Sequence, residues 1–299
     1  MQNMTSSAIQ IKSILLAFRP KTLTAALVPC LAGTALVRAI GLSWDGWVLF
    51  YALAASFLIQ IGTNLVNDAV DFKKGADTEK RIGPQRITQA GILTAGQVMA
   101  LGSVCFLLAV LCGIPLVMKG GWVIVAIGIA SVLMGYSYTA GPFPLAYLGL
   151  GDLFVILFFG LLAVMGIVFL NTGEWMQEAF VLGLQIGFHA TVLIAINNLR
   201  DHSGDALVNK KTLAVRFGVK FSRYEIATLC FLPFVLNLYW WFEGYKIPAM
   251  LSMFALPLAF KITKNVFGTE PSPAYNKFLG QAAGLHLVFG LLLAIGFAF

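Results

Sequence analysis

Residues 46–71 read GWVLFYALAASFLIQIGTNLVNDAVD, an apolar run that ends in amides and carboxylates. The run carries no Asp, Glu, Lys or Arg up to position 67, and about 20 apolar residues suffice for a helix to cross a bilayer. The oxygen-bearing side chains at its end recur every three or four residues, which places them on one helical face: Asn64, Asn67, Asp68 and Asp71. The stretch therefore predicts a membrane-spanning helix that presents oxygen ligands where it leaves the bilayer.

The rest of the chain has the same apolar character. Of its 299 residues 59% are hydrophobic and 11% charged, whereas soluble domains carry about 25% charged residues. The apolar runs are too long and too uniform for barrel strands, whose residues would alternate. The sequence therefore predicts an all-α polytopic membrane protein that forms one transmembrane domain over 1–299, with nine spans at roughly 22–39, 46–67, 94–117, 121–139, 147–170, 178–198, 224–242, 246–264 and 278–298.

The basic residues predict the orientation. Of the 20 Lys and Arg, all but Arg38, Lys119 and Lys246 lie before the first span, in the 2–3 and 6–7 loops, or at the 8–9 turn. The excess of positive charge in cytoplasmic loops then places the N-terminus in the cytoplasm and Phe299 outside. The net charge of +7 suits anionic lipid or an anionic substrate. Nucleic acid is not expected as a partner, because no folded domain outside the membrane would present a binding surface.

Acidic residues are scarce and clustered. Of 13 Asp and Glu, six lie in two segments, 64–79 and 197–205, each at the end of an apolar run. The second segment repeats the helical stripe of the first, with Asn197, Asn198, Asp201 and Asp205. Carboxylates at a helix C-terminus face the negative end of the helix dipole and repel one another, so a cation is expected to offset them.

Oxygen ligands without clustered His or Cys favour a hard cation. Mg²⁺ binds one or two carboxylates and completes its coordination with water and substrate phosphates. The alternative for either segment alone is a solvated helix end neutralised by nearby Lys and Arg. Basic residues that could contact a diphosphate follow both segments: Lys73, Lys74, Lys80, Arg81 and Arg86 after the first, and Lys210, Lys211 and Arg216 after the second.

At these residues the chain resembles the UbiA superfamily of intramembrane aromatic prenyltransferases. The pattern of that family is an NDxxD-type motif after the second helix and a DxxxD-type motif after the sixth. Asn67-Asp68-x-x-Asp71 and Asp201-x-x-x-Asp205 occupy those places here. The resemblance covers almost the whole chain and includes the count of nine helices.

Several stretches resemble the MenA subfamily, the 1,4-dihydroxy-2-naphthoate polyprenyltransferases of menaquinone synthesis. They lie in the motif loops 64–91 and 197–218, at Arg19-Pro-Lys-Thr-Leu and at Tyr138-Thr-Ala-Gly-Pro-Phe-Pro-Leu. This resemblance implies a Mg²⁺-dependent enzyme of the bacterial inner membrane with its active site toward the cytoplasm. Its substrates would be a polyprenyl diphosphate and an aromatic acid, and no obligate protein partner is evident.

The resemblance also implies roles for individual residues. Asp68, Asp71, Asp201 and Asp205 would be catalytic and would bind Mg²⁺, with Asp77 as a fifth metal ligand. The substrate-binding residues would be Asn64, Asn67, Asn198, Arg19, Lys73, Arg81, Arg86, Tyr138, Lys210 and Lys211. Tyr138 is a candidate for steadying an allylic cation with its ring, although any one aromatic in so apolar a chain more often serves packing.

Other functions stay open at the level of sequence. Within the superfamily, 4-hydroxybenzoate, homogentisate or a non-aromatic compound could be the acceptor. A divalent-cation transporter would place its acids near the bilayer midplane, whereas here they lie at one end of the spans. A lipid-binding scaffold would leave the two Asn/Asp stripes unexplained.

Overall fold

The structure is a computed structural model, and it describes residues 15, 17–75, 82–83 and 86–299. These residues form helices and connecting turns, without a strand. Eight of the described helices are long and apolar enough to cross a membrane: α1 Pro20–Ala39, α2 Gly46–Lys73, α3 Ala95–Ser137, α4 Gly151–Thr172, α5 Gln177–Leu207, α6 Leu213–Phe242, α7 Lys246–Gly268 and α8 Tyr275–Ala298. The all-α, multi-pass membrane architecture predicted from the sequence is confirmed.

Helix α3 contains two of the predicted spans. At Gly121 its backbone leaves the helical region, with φ 62° and ψ −151°. A β-carbon on Gly135 would lie 3.3 Å from the ring of Phe106, although 29 residues of straight helix would separate them by about 43 Å. The chain therefore reverses at Gly121. The count of nine spans stays a prediction, which this reversal supports.

Helix α5 is the most buried of the eight and forms the centre of the bundle. Glycines let α4 approach it closely, because a β-carbon on Gly160 would lie 2.4 Å from the carbonyl oxygen of Gly183. Small residues at such contacts are the usual means by which membrane helices pack. This close contact holds α4 and α5 together, and both helices line the cavity described below.

The polar ends of α2 and α5 meet at the same end of the bundle. The segment after α2 folds back over it, since the backbone N–H of Ile87 donates to the Asp68 carboxylate at 3.2 Å. A short helix, Leu145–Leu148, lies beside both ends and stops at Gly149, whose φ is 75°. These connections close the polar end around the candidate site.

Candidate active site

One cavity of about 1170 Å³ is lined by both polar stripes. Its polar wall comes from two helices: Asn64, Asn67 and Asp68 from α2, and Asn197, Asn198 and Asp201 from α5. The two stripes are more than 100 residues apart in the chain, and the sequence predicts that they share a pocket. The structure brings the two stripes together on one cavity, except for the last acid of each, because Asp71 and Asp205 do not line it.

Asp68 is 3% exposed and is held by the segment that follows α2. Its carboxylate accepts hydrogen bonds from the Thr88 hydroxyl and the Ile87 backbone N–H. Thr88 was not among the predicted site residues, because a lone threonine in a loop carries no recognisable signal. These two donors fix the position of the Asp68 carboxylate at the cavity wall.

Asp71, one turn further along α2, is 2% exposed. Arg86 lies 3.1 Å from its Oδ2, and the Tyr147 hydroxyl donates to its Oδ1 at 2.9 Å. Arg86 itself lines the cavity and also donates to Asn67. Asp71 therefore lies behind Arg86 and faces the cavity through that guanidinium.

Asp201 forms a two-bonded ion pair with the preceding residue. Arg200 donates from Nε to Oδ1 at 2.8 Å and from Nη2 to Oδ2 at 2.6 Å, while its Nη1 donates to Asn276 Oδ1. The Asn276 amide in turn donates to the carbonyl oxygen of Ile82. Arg200 and Asn276 both line the cavity, and neither was predicted as a site residue.

Asp205 is less completely paired. Lys210 Nζ lies 3.3 Å from its Oδ1, whereas its Oδ2 is buried and has no hydrogen-bond partner in the described part of the chain. A buried oxygen without a partner costs free energy, and a bound cation would offset that cost. This oxygen, with the carboxylates and amides of the shared wall, fits a hard cation such as Mg²⁺.

The described residues do not themselves assemble three His, Cys, Asp or Glu side chains around one point. Asp68 and Asp201 line the cavity together with the amides of Asn67 and Asn198, whereas Asp205 does not line it and has a buried Oδ2 without a partner in the described residues. A set of this kind leaves coordination positions for water or phosphate, as Mg²⁺ sites in phosphate-binding proteins do.

The remaining predicted residues differ in their placement. Asn64 donates to the Phe18 carbonyl and the Thr22 hydroxyl, so its amide also braces the cavity wall. Arg19, whose φ of 53° is left-handed, lines the cavity, as do Lys210 and Tyr138. Lys73 and Lys211 are exposed. Asp77 and Arg81 lie outside the described residues.

Tyr147 is a further residue of the site that was not predicted from the sequence. Besides its hydrogen bond to Asp71, its ring lies 4.0 Å from Lys74 Nζ and 5.9 Å from Lys210 Nζ. Burial raises the pKa of the Tyr147 phenol and the Asp71 carboxylate adds to the rise, so the hydroxyl stays protonated and donates. Burial lowers the pKa of Lys74, against the opposing effect of Asp71.

Away from its polar wall the cavity is an apolar tube. Aromatic residues line its upper part, where Tyr138 packs at 5.5 Å from Phe154 and Phe154 stacks at 4.4 Å on Phe158. Deeper, its walls are small and aliphatic and extend to Leu170, near the far end of α4: Val110, Gly113, Ile114, Val117, Ile124, Gly128, Leu162, Ala163, Gly166 and Leu170. The polar end of the cavity, which the two Asn/Asp stripes line together with Arg19, Arg86 and Lys210, is called the mouth. This charged mouth and the long apolar tube suit an amphipathic molecule with an anionic head and a hydrocarbon tail.

Known proteins resemble this chain in sequence and in fold. A sequence model described as the UbiA prenyltransferase family matches residues 26–296. A 1,4-dihydroxy-2-naphthoate octaprenyltransferase of Haemophilus influenzae is 32% identical, over 93% of each chain, and one of Escherichia coli K12 is 33% identical, over 93% of this chain and 92% of that one. A UbiA homologue of Archaeoglobus fulgidus bound to GPP and Mg²⁺ superimposes with a TM-score of 0.67 at 16% identity, over 94% of this chain and 99% of that one.

Proposed function

The chain belongs to the UbiA prenyltransferase family, and we propose that it transfers a polyprenyl group from a polyprenyl diphosphate to 1,4-dihydroxy-2-naphthoate, giving demethylmenaquinol, the hydroquinone that a separate oxidation converts to demethylmenaquinone. Diphosphate and CO₂ are the other products. The acceptor is that of the enzymes from Haemophilus influenzae and Escherichia coli, which match nearly the whole chain. The observation that carries the proposal is the single cavity whose charged mouth joins both Asp motifs to an apolar tube.

The mouth of the cavity accounts for recognition of the diphosphate. Asp68, Asp71, Asp201 and Asp205, with Asp77 as a further ligand, would hold Mg²⁺, and Asp71 would do so in exchange for its contact with Arg86. The bound metal would neutralise diphosphate charge and stabilise diphosphate as a leaving group. Arg19, Arg86 and Lys210 line the same mouth and would donate to diphosphate oxygens. Asn64, Asn67 and Asn198 orient these groups or donate in turn.

The bond changes balance without another reactant, because the prenylated ring stays at the hydroquinone oxidation level. The bond between the allylic carbon and oxygen breaks with its electron pair leaving on the diphosphate, and a ring carbon of the acceptor forms the new carbon–carbon bond. The carboxylate departs as CO₂ and leaves its electron pair in the ring. The rings of Tyr138, Phe154 and Phe158, of which the last two are stacked, line the cavity and would stabilise positive charge on the allylic carbon.

The apolar tube holds the prenyl chain and keeps water from the allylic cation. The excess of Lys and Arg at the end of the bundle that carries the mouth supports an active site on the cytoplasmic side of a bacterial inner membrane. This orientation gives an amphipathic diphosphate a direct route, because its tail can enter from lipid while its head stays in contact with water.

Purified protein in nanodiscs, supplied with Mg²⁺ and a polyprenyl diphosphate, tests the proposal against each candidate acceptor. We expect product with 1,4-dihydroxy-2-naphthoate and its loss in Asp71→Asn and Asp201→Asn. Glu174→Gln is the matched control, because Glu174 is exposed and lies just after α4, at the other end of the bundle. Turnover with 4-hydroxybenzoate alone would refute the choice of acceptor, and ion transport without prenylation would refute the enzyme.

A further inference from the structure

Tyr147 stands on a turn that is fastened to the segment after the second Asp motif. Its carbonyl oxygen accepts from the Lys211 backbone N–H at 2.9 Å, and the next carbonyl, of Leu148, accepts from Arg216 Nη2 at 2.7 Å. Gly149 leaves no room for a side chain, since a β-carbon there would lie 2.4 Å from the Lys211 carbonyl oxygen. The backbone of Tyr147 is therefore tied to the segment 210–216.

The side chain of Tyr147 reaches the first Asp motif. Its hydroxyl donates to Oδ1 of Asp71, while Arg86 occupies Oδ2, so the two oxygens of this buried carboxylate have different partners. A hydrogen bond to an ionised carboxylate is stronger than one between neutral groups. Tyr147 thus bridges α2 and the segment that follows α5.

The ring of Tyr147 also gathers two lysines from the two motif segments. Lys74 and Lys210 both lie within the distance of about 6 Å at which an ammonium is attracted to an aromatic ring. Each ammonium has a second partner, since Lys74 donates to the Thr139 carbonyl and Lys210 pairs with Asp205. The hydroxyl therefore contacts the first motif at Asp71, and the ring contacts one cation from the segment that follows each motif.

We propose that Tyr147 is a positioning residue that fixes the spacing between the two Asp motifs, and with it the binding of a magnesium diphosphate. The hydroxyl orients Asp71 and the ring places Lys74 and Lys210. This inference rests on the proposed function for its substrate. Its geometry depends only on contacts among described residues.

A bland alternative is that Tyr147 merely packs the turn. Two variants separate these roles: Tyr147→Phe keeps the ring and removes the hydroxyl, and Tyr147→Leu removes both. Tyr224→Phe is the control, because Tyr224 is 56% exposed and lies on α6 against Phe267. For each we would measure the binding of Mg²⁺ with inorganic pyrophosphate by calorimetry, the thermal unfolding midpoint without ligand, and kcat and KM for the prenyl diphosphate.

Tyr147→Phe removes one hydrogen bond to a charged group. We therefore expect this variant to bind pyrophosphate roughly ten-fold more weakly and to have a KM for the prenyl diphosphate that is higher by roughly ten-fold. Tyr147→Leu should weaken binding further, and the unfolding midpoint of Tyr147→Phe should match that of the wild type and the control. Wild-type binding of pyrophosphate by Tyr147→Phe would overturn the positioning role, even if Tyr147→Leu unfolds early. If the wild type forms no prenylated product but Tyr147→Phe still loses pyrophosphate, the proposed function fails and the positioning role stands.

Discussion

Arg200 and Asp201, consecutive on α5, face each other through two hydrogen bonds of 2.8 and 2.6 Å. The side chain of Arg200 is 2% exposed and that of Asp201 is 23% exposed, so the arginine supports the carboxylate from beneath. Through Asn276 the same guanidinium is linked to the first residue described after the gap that follows α2, Ile82. One buried cation therefore orients the second Asp motif and ties it to the loop of the first.

A substitution of Arg200 tests the importance of its two hydrogen bonds to Asp201. Lysine keeps the charge of Arg200 but cannot make two parallel bonds, so Arg200→Lys should leave Asp201 poorly oriented. Because Asp201 is a proposed metal ligand, we expect the Mg²⁺ concentration for half-maximal rate to rise by roughly ten-fold to a hundred-fold.

The control for this change is Arg223→Lys. Arg223 also pairs with a carboxylate, that of Glu270, but Glu270 is 82% exposed, and exposed pairs contribute little. The rate of Arg223→Lys should therefore follow that of the wild type at every Mg²⁺ concentration. Equal Mg²⁺ dependence of both variants would show that the ion pair between Arg200 and Asp201 does not support a metal ligand.

Removal of the metal examines Asp205, whose Oδ2 is buried without a partner in the described residues. Activity should vanish with EDTA and return with Mg²⁺, because the leaving diphosphate needs its charge neutralised. Asp205→Asn, with no negative charge to give, should need at least about ten-fold more Mg²⁺. If the variant recovers at the wild-type Mg²⁺ concentration, Asp205 is not a ligand.

The helices and both stripes of Asn and Asp side chains could be predicted because they depend on local spacing. Apolar runs set the spans, and intervals of three and four residues put Asn64, Asn67 and Asp68 on the face of α2 that lines the cavity. The partners of these ligands could not be predicted. Tyr147 reaches Asp71 across 76 residues, and no local pattern encodes a contact that depends on how the connections fold over the helix ends.

The depth of the apolar tube should limit prenyl chain length. Gly166 lines it 14 residues beyond Asp152 on α4, about 21 Å along a helix. A β-carbon there would come no closer than 3.8 Å to another side chain, so a larger residue can enter the cavity. Gly166→Phe should keep turnover with geranyl diphosphate and slow octaprenyl diphosphate at least about ten-fold, because only the long tail must pass this point. A uniform loss with both substrates would argue that the tail lies elsewhere.

Stability should depend on a polar cluster buried away from the cavity. Gln185 on α5 accepts from the Trp240 indole at 2.7 Å and donates to Asn237 Oδ1 at 2.9 Å and to the Pro233 carbonyl at 2.7 Å. Gln185→Leu would leave these buried groups unpaired, which costs about 1–3 kcal/mol and should lower the unfolding midpoint in detergent.

Gln177→Leu, at the exposed start of the same helix, is the control. Because none of these groups lines the cavity, the KM of Gln185→Leu for the prenyl diphosphate should stay at the wild-type value below its unfolding midpoint. An unchanged midpoint would mean that water or lipid replaces the lost bonds and that the cluster does not hold α5 and α6 together.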